Sequence, residues 1–455
     1  MKRMILLGIL FSCLAFAYKK TSKSLESHEI SNLKINWSAP IGNVSFRTNI
    51  DFLAGNLIIG SNGGNYMDYF IDKGNGVYIL DPKTGKTQLN FANESFGDMD
   101  VNGVLVYKDR IYFGNDNDEI ICADQKGKII FRQDASGDIE HRPILIQSGT
   151  KTQLVFAMET GEVRSIDPES GTINWTYYHP NFQGQKVGDN RTMFKLKMHF
   201  YSGDKFFLEP VLRDLNNDKV QDLIYIAEEI DVFAIDGKTG KLITSILNEY
   251  PEQYYGTFHC SLSHSVPAII ESGNQMLIAL PFACNFEGDL EGKKAINQLR
   301  IFNLKGKEVK RIDLGNDIRT SGCVQRDNRL FFGRKWIDFS GGLDNYTIHA
   351  YDLSIKNYSI PRIAQKSLTI AGDECLIFSF EYGFMKENTY DKSTIGIYNL
   401  RKKAFENLHH VNVTSEFIPV IGDMNKDNKV DILLGCHDGV LYNFDLNITA
   451  SAINN

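Results

Sequence analysis

The chain has 455 residues, 42% of them hydrophobic and 23% charged, with 49 basic against 56 acidic side chains and a net charge of -7. That is the composition of a folded chain in water, too apolar for a disordered polymer and too interrupted by polar residues to span a membrane repeatedly. Without a Lys/Arg-rich run the acidic balance excludes nucleic acid as a partner, and length alone would suggest about three domains.

Residues 1–17 open with Lys2 and Arg3, continue through the apolar run Met4 to Phe11, and reach Ala15-Phe16-Ala17. Charged, apolar and small-residue segments in that order define a secretory signal, so the expected mature chain starts near Tyr18 and is exported to the periplasm, the cell surface or the medium. Leu10-Phe11-Ser12-Cys13 is similar to a bacterial lipobox and supplies the alternative, a lipid anchor at Cys13. Residues 18–33 read as a linker, and no later stretch is apolar for the roughly 18 residues of a membrane helix.

From residue 34 to 447 a β-rich phrase recurs: an apolar strand leading into Asp or Asn, then a Gly turn. The fullest copy is Gly76-Val77-Tyr78-Ile79-Leu80-Asp81-Pro82-Lys83-Thr84-Gly85, followed by Val163-Arg164-Ser165-Ile166-Asp167-Pro168-Glu169-Ser170-Gly171 and Val232-Phe233-Ala234-Ile235-Asp236-Gly237-Lys238-Thr239-Gly240. Its register residue falls at Asp81, Asp124, Asp167, Asp236, Asn303, Asp352, Asn399 and Asp445, in steps of 43, 43, 69, 67, 49, 47 and 46. Steps of 43 to 49 suit four short strands and their turns, the unit of a β-propeller blade; the two long steps contain insertions, about Tyr177–Met198 and Glu249–Phe258. Pro143, Pro210, Pro267 and Pro419 each begin a short apolar run, where a missing N–H is harmless at the start of a blade's first strand.

The fold predicted is therefore all-β, an eight-bladed propeller of four-stranded antiparallel blades. Lys34-Ile35-Asn36-Trp37 has the form of the outer strand Thr172-Ile173-Asn174-Trp175 but no blade of its own, so it is expected to complete the eighth blade and close the ring. Residues 448–455 are left as a tail.

These repeats resemble the quinoprotein (PQQ)-like eight-bladed propeller family, BamB-like members included. The resemblance implies a propeller over about residues 34–447 and leaves activity open, because the repeat is structural. Quinone-dependent dehydrogenases of this fold imply an adjacent Cys-Cys pair and a tryptophan platform. This chain has no such pair and only three tryptophans, so no PQQ is expected.

Two loops stand out. Asp214, Asn216, Asp218, Val220 and Asp222, and Asp423, Asn425, Asp427, Lys429 and Asp431, occupy positions 1, 3, 5, 7 and 9 of matching segments, with oxygen side chains at 1, 3, 5 and 9 and a backbone carbonyl at 7. A hard cation takes six to eight oxygens at about 2.3–2.6 Å, so the loops are read as Ca²⁺ sites. Position 12 is Tyr225 or Leu434 instead of the EF-hand Glu. The loops instead resemble the integrin-like FG-GAP type, which lies between the first two strands of a blade. Position 6 is Lys219 in one and Asn428 in the other, and Lys accepts a left-handed backbone less readily.

Remaining chemistry is sparse: no HExxH, Walker loop, GxSxG or CxxCH motif occurs. His141, the cluster His259-Cys260 with His264, and His409-His410 are read as polar residues near the channel mouth. Removing the signal leaves six cysteines, among which Cys260 and Cys284 flank one expected hairpin and form the first pair to test for a disulfide. The resulting expectation is an exported, non-catalytic binding or assembly module with a protein or glycan partner at its loops and channel mouth. The alternative is a channel-centred enzyme, either a degenerate quinoprotein oxidoreductase or a lyase.

Overall fold

The computed structural model describes residues 30–45, 47–64, 74–92, 99–180, 209–227, 231–246, 258–260, 267–272, 275–286, 296–314, 324–332, 335–350, 362–382, 392–413, 415 and 417–454. The signal segment with Cys13, and also His264, Cys323 and Asp352, lie outside them.

Eight antiparallel sheets follow one another along the chain. Blade one is Ile50–Leu53, Asn56–Asn62, Asn75–Leu80 and Thr87–Phe91; blade two is Val104–Tyr107, Arg110–Asn115, Glu119–Asp124 and Ile129–Asp134; blade three is Ile144–Ser148, Lys151–Ala157, Glu162–Ile166 and Ile173–Tyr178. Blade four is Val211–Arg213, Asp222–Ala227, Asp231–Ile235 and Leu242–Ile246; in blade five the inner strand Ala268–Ser272 precedes Gln275–Phe286, Ile296–Asn303 and Glu308–Asp313. Blade six is Val324–Arg326, Arg329–Phe332, Lys335–Asp338 and Thr347–Ala350, and blade seven is Arg362–Ile370, Asp373–Tyr382, Lys392–Asn399 and Ala404–Val411. Blade eight takes Val420–Gly422, Lys429–Gly435 and Val440–Thr449 from the C-terminal end and its outer strand, Lys34–Pro40, from the N-terminal end, with Ser38 opposite Tyr442. The closing strand thus stands where the sequence puts it.

Two-residue alternation explains the packing. In blade two Ile111, Phe113, Ile121 and Ala123 face blade one, while Tyr112, Ile120 and Cys122 on the same strands face blade three. Both faces of a blade are buried, so its central strands are apolar on both sides. Apolar clusters of this kind join every consecutive pair of blades, and one containing Trp37, Leu57, Ile397 and Ile432 joins blades seven, eight and one. First strands of neighbouring blades lie side by side, as in blades one and two or seven and eight, which puts them around the central channel.

The repeated phrase does a local job at the turn after each third strand. Asp81 Oδ1 accepts from the N–H of Lys83 at 2.8 Å, and Asp167 Oδ1 and Asp236 Oδ1 accept equivalent bonds from Glu169 and Lys238 at 2.9 Å. Glycine follows with φ of 68° at Gly85 and 71° at Gly240. A left-handed backbone accounts for half of that choice. The other half is packing: a Cβ on Gly85 would lie 2.4 Å from the Trp37 ring, and one on Gly240 would lie 2.4 Å from Trp175. Each tryptophan, on the outer strand of one blade, docks onto the glycine turn of the next, and Trp37 Nε1 also donates to the Pro82 carbonyl at 2.8 Å.

Blade six corrects the register. Thr347–Ala350, expected as part of the third-strand phrase ending at Asp352, is the outer strand, and the third strand is Lys335–Asp338, paired on both sides. Asp338 takes the turn role, its Oδ1 accepting from Ser340 N at 2.9 Å. Both strands satisfy the pattern of apolar alternation before an aspartate, so only pairing distinguishes them. Two short strands also lie outside the 34–447 span: Ile30–Asn32 runs parallel to the outer strand of blade seven, and Ile453–Asn454 pairs with that blade's inner strand.

Candidate metal loops and channel mouth

Both candidate loops join the first and second strands of their blades, 214–221 in blade four and 423–428 in blade eight, on opposite sides of the ring. Pro210 and Pro419 stand immediately before the respective inner strands, as Pro143 and Pro267 do in blades three and five.

Most of their internal hydrogen bonds have a counterpart in the other loop. Asp214 accepts from the N–H of Asp218 (3.2 Å) and Lys219 (2.9 Å), and Asp423 accepts from Asp427 (3.0 Å) and Asn428 (3.2 Å). Asn216 Oδ1 and Asn425 Oδ1 accept from the position-5 N–H at 2.9 Å in both loops. At position 9 the buried Asp222 and Asp431 accept from the position-2 N–H, Leu215 or Met424, at 2.8 Å. Burial pushes both position-9 carboxyls up, and these backbone bonds pull them partly back.

Backbone strain is shared equally. Positions 4 and 6 are left-handed in both loops, at Asn217 (62°) and Lys219 (68°) in one and at Lys426 (60°) and Asn428 (67°) in the other. Each loop therefore carries one Lys and one Asn in left-handed positions, in opposite order, and the sequence reading that Lys219 singles out the first loop does not hold.

Position 9 ties each loop to the rest of its blade. Asp222 Oδ1 accepts from Gly237 N at 3.1 Å, and a Cβ on Gly237 would lie 2.0 Å from the Gln221 carbonyl oxygen. Blade four thus has Gly237 where other turns have Pro82 and Pro168: proline could neither donate that bond nor fit. In blade eight Asp431 Oδ1 accepts from Asn36 Nδ2 at 3.0 Å, joining the loop to the closing strand. At position 7 the side chain is buried at Val220 and ion-paired to Asp445 (2.9 Å) at Lys429. Oxygen donors at positions 1, 3, 5 and 9 have the chemistry of a hard-cation site. Among the described residues no three His, Cys, Asp or Glu side chains are gathered closely enough to form a metal cluster outright.

At the other end of the inner strands lies a polar group that sequence reasoning missed. Arg47 pairs with Glu140, which also accepts from Asn102 Nδ2 at 2.7 Å, and Arg142 Nε lies 2.9 Å from Glu209. Burial raises the Glu209 carboxyl against the opposing pull of Arg142. The available signal was position: Glu140, Arg142 and Glu209 all fall within three residues of an entrance proline. His141 is buried among them; its Nδ1 donates to the Arg142 carbonyl at 2.8 Å, and desolvation holds its pKa at about 4, so the ring is neutral. His409 and His410 are on the outer strand of blade seven, far from the inner strands, with His410 Nδ1 2.7 Å from Thr394 Oγ1. His259 is in a short strand, Phe258–Cys260, at the upper edge of blade five. Among the described residues, His141 and the His409-His410 pair thus do not come together. Towards the end of the metal loops and tight turns, inner strands of blades four to six line a recess of about 390 Å³ holding the Arg213–Glu271 ion pair.

The fold defines the class: an all-β, eight-bladed propeller of four-stranded antiparallel blades. Residues 73–247, from the third strand of blade one through the outer strand of blade four, match the family described as outer membrane protein assembly factor BamB. Among solved structures, BamB from Moraxella catarrhalis is similar at 12% identity, covering 91% of this chain and 100% of that one with a TM-score of 0.51. The C-terminal WD40 domain of Sif2 is similar at 10% identity, covering 92% and 99% with a TM-score of 0.50. At such identities these two likenesses concern the fold alone. No curated protein matches in sequence. No helix among the described residues is long and apolar enough to cross a membrane.

Proposed function

We propose that this propeller is an exported, non-catalytic module that binds a protein partner in the cell envelope or outside the cell, in the manner of an assembly factor. The observation that carries this reading is the asymmetry of the two faces. Connections from strand one to two and from three to four are mostly tight turns, such as 54–55, 81–86, 108–109, 167–172 and 236–241. Connections from strand two to three and from one blade to the next join strand ends at the opposite face, and the longest intervals of sequence between such ends are 63–74, 179–210, 287–295 and 383–391. A rigid ring with variable loops on one side suits recognition, and the family match to an assembly factor over 73–247 supports a protein as the ligand.

Calcium belongs to the same reading as a brace for the tight-turn face, held by Asp214, Asn216, Asp218, the Val220 carbonyl and Asp222, and by Asp423, Asn425, Asp427, the Lys429 carbonyl and Asp431. Chelator should lower the melting temperature and added Ca²⁺ restore it, in excess of any effect on an Asp214→Ala/Asp423→Ala variant; no chelator effect on the parent chain refutes the metal. For the partner, photo-crosslinkers at Pro180 and at Lys83 sample the two faces. A discrete adduct from position 180 and none from position 83 is expected, and the reverse overturns the assignment.

A channel-centred enzyme is the second reading, and the group of Arg47, Glu140, His141, Arg142 and Glu209 is what favours it. Turnover abolished by Glu209→Gln with the fold intact would establish it; each carboxylate's pairing with an arginine favours the structural role.

A further inference from the structure

The junction between blades one and two breaks a pattern that nearby junctions keep. On the tight-turn face, the carbonyl that follows the turn aspartate accepts a bond from the preceding blade. Trp37 Nε1 donates to the Pro82 carbonyl at 2.8 Å between blades eight and one, and Tyr112 Oη to the Pro168 carbonyl at 2.8 Å between two and three. Gln153 Nε2 donates to the Gly237 carbonyl at 3.3 Å between three and four. Space beside the same turns is filled by rings: Trp37 covers Gly85, Trp175 covers Gly240, and the Phe131 ring lies 3.3 Å from where a Cβ on Gly171 would stand.

Register assigns the corresponding side chains between blades one and two. Leu89 follows Gly85 by four residues, as Trp175 follows Gly171 and Phe131 follows Gly127. Ile58 stands two residues before Gly60 on the second strand of blade one, as Tyr112 stands two before Gly114 in blade two. Both Leu89 and Ile58 belong to the apolar contact between these blades, yet neither is aromatic and neither carries a hydrogen to donate. The facing turn is also shorter, with Gly127 three residues after Asp124 against four from Asp81 to Gly85. Smaller side chains and a shorter turn fill less space, and here lies a recess of about 350 Å³. Leu53, Ile58, Ile79 and Leu89 form its apolar wall, Gln125 and Lys126 come from the turn of blade two, and Asn56 and Gln88, bonded at 2.9 Å, complete a polar rim.

We propose that this recess binds a free small molecule of the indole class, a flat bicyclic ring with one N–H. The occupant follows from the ring's own repeats. Indoles of Trp37 and Trp175 take the matching position at two other junctions, and that of Trp37 bonds the carbonyl that corresponds to Gln125. An apolar cavity of about 150 Å³ is enough to hold benzene, so the volume here admits the larger ring. Its faces bury against Leu53, Ile58, Ile79 and Leu89, and its N–H bonds the Gln125 carbonyl; an apolar wall with a single placed polar partner is the ordinary form of a small-molecule site. The recess is on the tight-turn face, away from the face assigned to a protein partner, and its test needs no partner.

Fluoroindole titrated into the full chain and followed by fluorine NMR reads the binding. Saturable line broadening with a dissociation constant below about 1 mM is expected, with methyl shift changes in the methyl-labelled chain confined to Leu53, Ile58, Ile79 and Leu89. N-methylindole lacks the N–H and should compete about twofold to tenfold less well, the range of one neutral hydrogen bond. Leu89→Trp puts the chain's own ring in the recess and should weaken binding at least about tenfold while raising the melting temperature. No saturable binding up to about 5 mM, undiminished binding to a folded Leu89→Trp chain, or methyl shifts clustered elsewhere overturns the proposal. Equal competition by N-methylindole overturns the bond to Gln125. If Leu89→Trp fails to fold, the methyl shifts of the parent chain still decide.

Discussion

Trp37 anchors the closing strand of blade eight against blade one, and Trp37→Ala measures that anchor. Trp37 is 6% exposed, sits in the cluster joining blades seven, eight and one, covers Gly85 and donates to the Pro82 carbonyl at 2.8 Å. Truncating a buried tryptophan loses about 3–5 kcal/mol, and orphaning the carbonyl adds about 1 kcal/mol. The expected loss is therefore about 4–6 kcal/mol. Trp37→Phe keeps most of the apolar contact but not the N–H and should lose about 1–2 kcal/mol. Ile35, two residues earlier on the same strand, is 51% exposed, so Ile35→Ala should stay within about 0.5 kcal/mol. Urea titration followed by far-UV circular dichroism reads the series, since the signal does not depend on tryptophan. A loss below about 1 kcal/mol for Trp37→Ala, or equality with Ile35→Ala, would refute closure through this contact.

Gly237→Pro removes the N–H that Asp222 accepts and adds a ring where a Cβ would already meet the Gln221 carbonyl, so a loss of about 3 kcal/mol or more is expected on the same titration. Pro82→Gly, the reverse exchange at the equivalent turn, should lose no more than about 1 kcal/mol, and equal losses would deny the special role of the blade-four loop. His141 gives a pH test. Its folded pKa of about 4 lies below the ordinary 6.5, so the unfolded chain binds the extra proton between those values. Its stabilising contribution is complete above about pH 6.5 and falls by about 1.4 kcal/mol per pH unit towards pH 4, roughly 3 kcal/mol in all. The difference in melting temperature between pH 7 and pH 5 should shrink in His141→Gln, and an unchanged difference would show that another group titrates.

Eight-fold repetition, the closing strand at Lys34–Trp37, the entrance prolines and the position of both acidic loops were legible in the sequence, because each is written in local chemistry. Alternation sets which residues can face a neighbouring blade; Asp and Gly set a turn; proline marks a strand start; a terminal strand motif without a blade needs a partner. Lys335–Asp338 and Thr347–Ala350 carry the same local pattern, and only their pairing made one of them the third strand of blade six. Glycine at 237 became explicable only with Asp222 beneath it, a contact across 15 positions. Arg47 and Glu140 meet only because neighbouring blades pack side by side, which no window of sequence contains. The sequence by itself determined the strands, their turns and the number of blades, since those depend on neighbours along the chain. The tertiary structure alone decided which polar groups pair, since that depends on distances between segments far apart in the chain.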